Sequence, residues 1–419
     1  MDLLRFAAVG SVDDGKSTLI GRLLTDSRQL FDDQIEAIEE ASRRRGHDGV
    51  DLAFVTDGLK DERDQGITID VAYRYAATPR RKFVIADCPG HFQYTRNMAT
   101  GASTADLALV VVDARQGMRE QTRRHLCIAA LLGVRHFLVA VNKMDLVDWD
   151  QSVFEEVAGA MTSLAQSLGA ASVECIPISA LLGDNVASAS TSAHYYHGPS
   201  VLEALENAPT GTVVAGSGAR LPVQWVLRHP GGGRSYAGMI NGGPLSVGDE
   251  VVVLPSGQRS RIGVIENFDG PMEQARASLS VAVRLEDDLD VSRGDLLALV
   301  KDAPVPTRSF EATLCWFAEQ PLGAGTKFRI KHTTRVAPAV VAEISSRLDV
   351  NTMVTRDADK LEPNDIGVVR LDVGAALALD DYRVNRITGS FVLIDELSNA
   401  TVAAGMVGLP VPALDDRPS

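Results

Sequence analysis

Three short stretches carry residue types at spacings suited to nucleotide chemistry. The first is Gly10-Ser11-Val12-Asp13-Asp14-Gly15-Lys16-Ser17. Its glycines let backbone N–H groups turn inward around phosphate oxygens. Lys16 offers a positive charge to β and γ phosphates, and the Ser17 hydroxyl is placed to ligate magnesium, with Thr18 behind it. The stretch follows an apolar run at residues 6–9 and opens a helical one at 18–24, which is the strand-loop-helix context the pattern needs. Asp13 and Asp14 lie inside the loop, where a carboxylate near phosphate is unfavourable. They are expected to make surface hydrogen bonds and to take no catalytic part.

The second stretch, Asn142-Lys143-Met144-Asp145, follows an apolar run at 137–141 and so falls at the carboxyl edge of a sheet. Guanine presents N1–H and an exocyclic amine together, which one carboxylate at Asp145 can accept. Adenine offers neither in that geometry, so Asp145 selects guanine and hence GTP. Asn142 is suited to tying this loop to the phosphate loop. The Lys143 stem is expected to pack over the base with its ammonium in water. Ser179-Ala180-Leu181, after the next apolar run, supplies the expected backbone contact to guanine O6.

The third stretch, Asp87-Cys88-Pro89-Gly90-His91, closes an apolar run at 83–86. Asp87 is expected to hold magnesium through water, while the Gly90 amide faces the γ-phosphate. Thr68, before a strand expected at 69–75, would close the magnesium shell with its hydroxyl and carbonyl. His91 is the residue expected to orient the attacking water, because phosphoryl transfer needs positioning more than strong base chemistry. The catalytic set is therefore His91, Thr68 and Lys16. Cys88 has no neighbouring base or resolving cysteine in sequence and reads as packing. His194 and His197 flank two tyrosines with no accompanying carboxylate, so aromatic packing is expected there and not a metal pair.

These residues need a scaffold, and the pattern from residue 3 to about 208 supplies one. Short apolar runs at 6–9, 83–86, 107–112, 137–141 and 175–178 alternate with longer amphipathic segments, giving an α/β phosphate-loop domain: a mostly parallel sheet with helices on both faces. Beyond 208 the runs are strand-like and separated by glycine-rich turns, including 221–227, 250–254, 328–332, 365–373 and 391–394. Three domains are expected: 1–208, then β-barrel domains at 209–303 and 304–419. The 419 residues, 45% of them hydrophobic, suffice for several cores. A net charge of -14 disfavours indiscriminate binding to nucleic acid. Four scattered cysteines suggest neither zinc cluster nor disulfide framework, which fits a cytoplasmic setting. No apolar run approaches the ~20 residues that span a bilayer.

With these signatures in order and two β domains behind them, the chain resembles the translation-factor class of GTPases typified by elongation factor Tu. In that class the histidine at the position of His91 is implicated in hydrolysis, and hydrophobic residues at the positions of Val12 and Ile67 flank it as a gate. Within the class, Ile67-Thr68-Ile69-Asp70-Val71-Ala72-Tyr73-Arg74-Tyr75, Thr78-Pro79-Arg80-Arg81-Lys82, the stretch 93–107 and Gln121-Thr122-Arg123-Arg124-His125 are similar to the large subunits of bacterial sulfate adenylyltransferases. The resemblance implies a GTPase with magnesium, coupled to a separate small catalytic ATP sulfurylase subunit that joins sulfate to the adenylyl group of ATP. Some relatives carry a fused adenylyl-sulfate kinase; Gly323-Ala324-Gly325-Thr326-Lys327 lacks the spacing of a second phosphate loop. The competing reading is an elongation factor that delivers aminoacyl-tRNA.

Overall fold

The computed structural model describes residues 2–26, 68, 70–210, 217–229 and 232–408. The described residues form two compact units, one of 2–210 with 350–354 and one of the remainder from 217 onward.

In the first unit the strands are β1 (Leu3–Gly10), β2 (Ala72–Ala77), β3 (Lys82–Asp87), β4 (Leu107–Asp113), β5 (His136–Asn142) and β6 (Ser172–Pro177). They pair in the order β2-β3-β1-β4-β5-β6, parallel throughout except for β2 against β3. The helices are α1 (Lys16–Asp26), α2 (Thr95–Ala102), α3 (Glu120–Leu131), α4 (Gln151–Ser167) and α5 (Val201–Asn207). β4 is buried at all seven positions, as a central strand covered on both faces must be. Leu4, Phe6 and Ala8 of β1 share one core with Leu19, Ile20 and Leu23 of α1 and with Val201 and Leu205 of α5. The alternate residues Ala7 and Val9 are buried as well, on the opposite face. Truncating a core phenylalanine such as Phe6 to alanine costs about 3–5 kcal/mol.

Local chemistry sets the helix ends. Asp150 caps α4 by accepting from the Ser152 and Val153 amides, and Ser200 with Glu203 forms a capping box on α5. β2 begins at Ala72, later than the expected 69. Asp70 Oδ1 takes the Val71 amide at 2.7 Å, which turns that donor away from the ladder; Ile69 lies outside the described residues. No helix among the described residues is long and apolar enough to cross a membrane.

The second unit is antiparallel. Strand Arg335–Asp349 alternates buried and open positions along its length, the period-2 signature of one face on a core. It belongs to a circuit in which Lys327–His332, Ser390–Ile394, Thr401–Val407, Pro306–Trp316, Ile366–Ala378 and Arg335–Asp349 pair in turn, and the last pairs with the first. That circuit is a closed barrel. The other sheet runs from Arg220–Pro222 to Trp225–Arg228 through Leu296–Leu299, Glu250–Leu254, Gln258–Asn267, Ser280–Leu285 and Arg234–Met239. Arg220 and Asn241 exchange both backbone hydrogen bonds at 2.8 Å, bringing its two ends together. The single run expected at 221–227 is two strands. Pro222 has no amide proton, and the next amides, of Val223 and Gln224, go to Asp295 O and Ala237 O.

Candidate functional site

The carboxyl ends of β1, β3, β4 and β5, with the loop after β6, bring the three signature stretches to one edge. Register places Ala8 beside Asp87, Gly10 beside Val111 and Asp113 beside Asn142. The phosphate loop turns between β1 and α1, so Lys16 and Ser17 open the helix and Thr18 follows. Two backbone positions make the turn: Asp13 at φ 68° and Gly15 at φ 91°. Gly90 comes so close to the loop that an added Cβ would stand 2.5 Å from Gly10 O. Gly90 thus lies directly against the phosphate loop.

Lys16 is buried, and its ammonium contacts Asp87 Oδ1 and, at 3.1 Å, the Thr68 hydroxyl. The structure therefore brings Lys16, Thr68 and Asp87 together. Asp87 Oδ2 is buried with no hydrogen-bond partner among the described residues. A buried carboxylate oxygen with unspent acceptor capacity, on a residue that shares the Lys16 ammonium with the Thr68 hydroxyl, fits a water-bound divalent cation.

His91 follows at the end of this segment, half-buried, with its ring centroid 5.9 Å from that of Tyr94 and its Nδ1 3.4 Å from the Gln93 amide. Val12, one side of the expected gate, is partly exposed; Ile67 lies outside the described residues. Burial pushes the Cys88 thiol up to about 12, with the neighbouring Asp87 charge adding, so at neutral pH it is an inert packing group.

Asn142 is the hub of the edge. Its amide nitrogen donates to Asp14 O at 2.8 Å, and its Oδ1 accepts from the Ala180 amide at 2.9 Å. One side chain thus holds the phosphate loop and the Ser179-Ala180-Leu181 loop. Ser179 and Ala180 are buried, whereas Leu181 is exposed. Met144 is buried beneath the turn that presents Asp145.

Two expectations are corrected here. Asp14 is not a surface group: it is 2% exposed and its Oδ2 accepts the Ser11 amide at 2.9 Å, closing the loop on itself. Burial pushes its carboxyl up to about 6, with Asp113 adding to the shift. The Ser11 amide and the charges of Arg119 and Lys143 oppose it. The Lys143 ammonium is not left in water: it donates to Asp13 O and pairs with Asp113 Oδ2 at 2.9 Å. Lys143 thereby becomes a second tie between the loops.

Sequence reasoning passed over three residues that position this edge. Asp113 is one. Burial opposes its charge, but hydrogen bonds from Arg115 and Lys143 outweigh that and hold its carboxyl far below the usual range. Its signal was an acidic residue closing an otherwise apolar strand. Thr122, whose hydroxyl lies 3.3 Å from that of Ser11, and Arg22 of α1 carried no such sign. Near His194 and His197 the structure shows packing, with Tyr195 and Tyr196 against Phe154 at centroid distances of 5.9 and 6.2 Å. No group of three or more His, Cys, Asp or Glu side chains placed to hold a metal ion occurs among the described residues.

Residues 1–210 match the family model for the elongation factor Tu GTP binding domain, and 309–408 match the GTP-eEF1A C-terminal domain-like family. The bifunctional enzyme CysN/CysC of Mycobacterium tuberculosis strain H37Rv is 51% identical, over 100% of this chain and 69% of its own. Sulfate adenylyltransferase subunit 1 of Tolumonas auensis is 49% identical over 97% of this chain and 86% of its own. The protein of the same name from Saccharophagus degradans is 47% identical over 97% and 87%. On those matches, with the three signature stretches gathered at one edge of the sheet, the chain belongs to the sulfate adenylyltransferase subunit 1 family, built on an elongation-factor-Tu-type GTP-binding domain.

Proposed function

We propose that this chain hydrolyses GTP and uses the change between its GTP and GDP forms to drive a separate, small catalytic subunit. That subunit would join sulfate to the adenylyl group of ATP and release pyrophosphate, a strongly uphill reaction that needs an external source of free energy. The observation that carries the reading is Asn142, which ties the phosphate loop to the guanine loop in a chain whose relatives are sulfate adenylyltransferase subunits.

Asp145 accepts guanine's two donors, and the Ser179-Ala180-Leu181 loop faces O6. Lys16 and the amides of the phosphate loop hold the phosphates, which requires the lysine to leave Asp87. The Ser17 and Thr68 hydroxyls, with Asp87 through water, would hold magnesium, which neutralises phosphate charge when bound. Gly90 senses the γ-phosphate, and His91 orients the attacking water. When that phosphate departs, the segments bearing Thr68 and Gly90 lose their anchor, and the partner's affinity for its intermediates changes with them. Four cysteines outside any disulfide suit work in the reducing cytoplasm.

The test mixes this chain with the small subunit, ATP and sulfate, with and without GTP, and follows pyrophosphate and phosphate release together. GTP is expected to drive adenylyl sulfate formation in step with its own hydrolysis, and Lys16→Ala to abolish that stimulation while leaving subunit binding intact. Undiminished synthesis without GTP, or stable tRNA binding in its place, overturns the proposal.

A further inference from the structure

Guanine recognition leans on the turn after β6, and that turn is held from an unexpected direction. Arg22 stands on α1, six residues after the phosphate-loop lysine, with its side chain 24% exposed. Its Nε donates to Ala180 O at 3.3 Å, and Nη2 donates to Leu181 O. Nη1 lies 3.8 Å from Asp26 Oδ1, one turn further along the helix, which steadies the guanidinium. Its Cδ, Nε and Cζ pack at 3.7–3.8 Å from the Cβ position of Gly183, whose φ of 88° folds the turn back toward α1.

The consequence follows from peptide geometry. A peptide plane carries its C=O and the next N–H in opposite directions, so fixing two successive carbonyls fixes two successive amides. Arg22 fixes the carbonyls of Ala180 and Leu181, and therefore the amides of Leu181 and Leu182. The Leu182 amide is spent on Ser179 Oγ at 3.2 Å, the Ala180 amide on Asn142, and the Gly183 amide on Ser179 O. The Ala180, Leu182 and Gly183 amides are thus held by named partners, and Arg22 reaches the turn's carbonyls from the helix that also presents Lys16 and Ser17. A planar fork suits this task, because one guanidinium can satisfy two carbonyls in a fixed relative orientation.

We infer that Arg22 is a positioning residue for base specificity: by fixing the Ala180 carbonyl it orients the Leu181 amide of the same peptide plane toward guanine O6. In doing so it makes α1 a common strut for phosphate binding and base reading. The inference rests on the proposed GTP binding at this edge.

The experiment compares wild type with Arg22→Ala, Arg22→Gln and Arg22→Lys, titrating each calorimetrically with GDP, IDP and 2-aminopurine riboside diphosphate. IDP keeps the 6-oxo group and lacks the 2-amino group; the 2-aminopurine nucleotide lacks the 6-oxo group. Wild type is measured first, and failure to bind GDP at all counts against the GTP-binding reading itself. Given that binding, Arg22→Ala is expected to weaken GDP and IDP alike by roughly tenfold, the scale of one hydrogen bond, and to leave the 2-aminopurine nucleotide within about twofold. Arg22→Lys and Arg22→Gln, which keep donors without the two-carbonyl fork, are expected to fall between. They keep the test open if the alanine variant does not fold. Equal weakening of all three nucleotides, or an unchanged ratio of GDP to 2-aminopurine affinity in every folded variant, overturns the inference.

Discussion

The two units each bury charge, and they do so in opposite ways. In the β unit, Arg220 is 2% exposed and every direction of its guanidinium is spent. It grips Asp380 with Nε and Nη2, each at 3.1 Å, and reaches Asp302 Oδ1 at 3.2 Å, Asp302 O at 2.6 Å and Ala219 O at 3.3 Å. Thr388 closes the remaining side of Asp380 at 2.5 Å, and the Gly218 amide closes Asp302. At the nucleotide edge, by contrast, Asp87 Oδ2 has no hydrogen-bond partner among the described residues, and Asp14 is buried with its carboxyl pushed up to about 6. A saturated network fixes one arrangement of the strand bearing Arg220 with the segments bearing Asp302 and Asp380. An unsaturated one retains capacity for phosphate, metal and base. Burial of charge alone therefore does not separate these two sites; the acceptor capacity left on Asp87 does.

That contrast predicts that changes at the edge move ligand preference, whereas changes at Arg220 move stability. The largest effect is expected from Asp145→Asn. The amide loses an acceptor for guanine's donors and gains a donor for xanthine's additional carbonyl, so the GDP-to-XDP affinity ratio should fall on the order of 10⁴-fold, with the thermal midpoint unchanged. Titration of both nucleotides against both proteins checks this, and an unmoved ratio would remove Asp145 from base selection. Arg220→Met is next. It strands the buried Asp380 carboxylate and is expected to cost about 3–5 kcal/mol in the β unit. Urea unfolding followed through Trp225 and Trp316 reads that loss, while GDP affinity of the folded protein stays within about twofold. A cost below about 1 kcal/mol, or a large fall in GDP affinity, breaks the comparison.

How much of this was legible in the sequence follows the same divide. Chemistry written in adjacent residues could be read directly, so the α/β order and the family resemblance agree with the fold and the relatives, and the phosphate loop and the Asn142–Asp145 stretch stand at the strand ends expected for them. Strand existence was also legible, because apolar runs at 107–112 and 137–141 have one use in such a sheet. What stayed hidden was pairing across long separations. Nothing near Arg22 announces Ala180, and nothing near Arg220 announces Asp380, 160 residues away. Burial of individual polar groups is hidden for the same reason: Asp14 reads as a surface group because a carboxylate near phosphate is unfavourable, and nothing in sequence shows that the loop closes over it. Lys143 was misplaced because its partner, Asp113, sits at the end of a different strand.

Asp14 sharpens the comparison through pH. Its folded carboxyl, at about 6, lies above the unfolded value of 3.8. Below pH ~4 both states hold the proton and the contribution to stability is complete. As pH rises toward 6 the unfolded chain releases its proton first, so stability falls, by about 3 kcal/mol in all once the folded carboxyl has also ionised. Asp14→Asn keeps an oxygen for the Ser11 amide and removes the titration. The stability difference between variant and wild type, measured from pH 4 to pH 7 without nucleotide, is expected to shift in the variant's favour as pH rises. A flat difference would mean that Asp14 ionises as freely in the fold as in the unfolded chain, and the edge would then be less strained than its burial implies.

His91→Ala is expected to have the smallest effect on free energy and the most selective. The imidazole is half-buried beside Tyr94, and among the described residues its ring accepts one long hydrogen bond, from the Gln93 amide at 3.4 Å, so removing it strands no buried charge there. Stability should hold within about 0.5 kcal/mol, the range of substitutions away from cores and networks. Nucleotide affinity should hold too, because a group that positions water acts in the transition state and contributes little to ground-state binding. Single-turnover GTP hydrolysis is expected to fall about 100-fold, near 2.7 kcal/mol. The three readouts separate the alternatives. A fall in affinity equal to the fall in rate would make His91 a binding residue. A fall in stability would place it with Arg220, among groups that hold the fold. An unchanged hydrolysis rate would assign the positioning of water to the partner subunit, and the edge would then be complete for reading GTP but not for cleaving it.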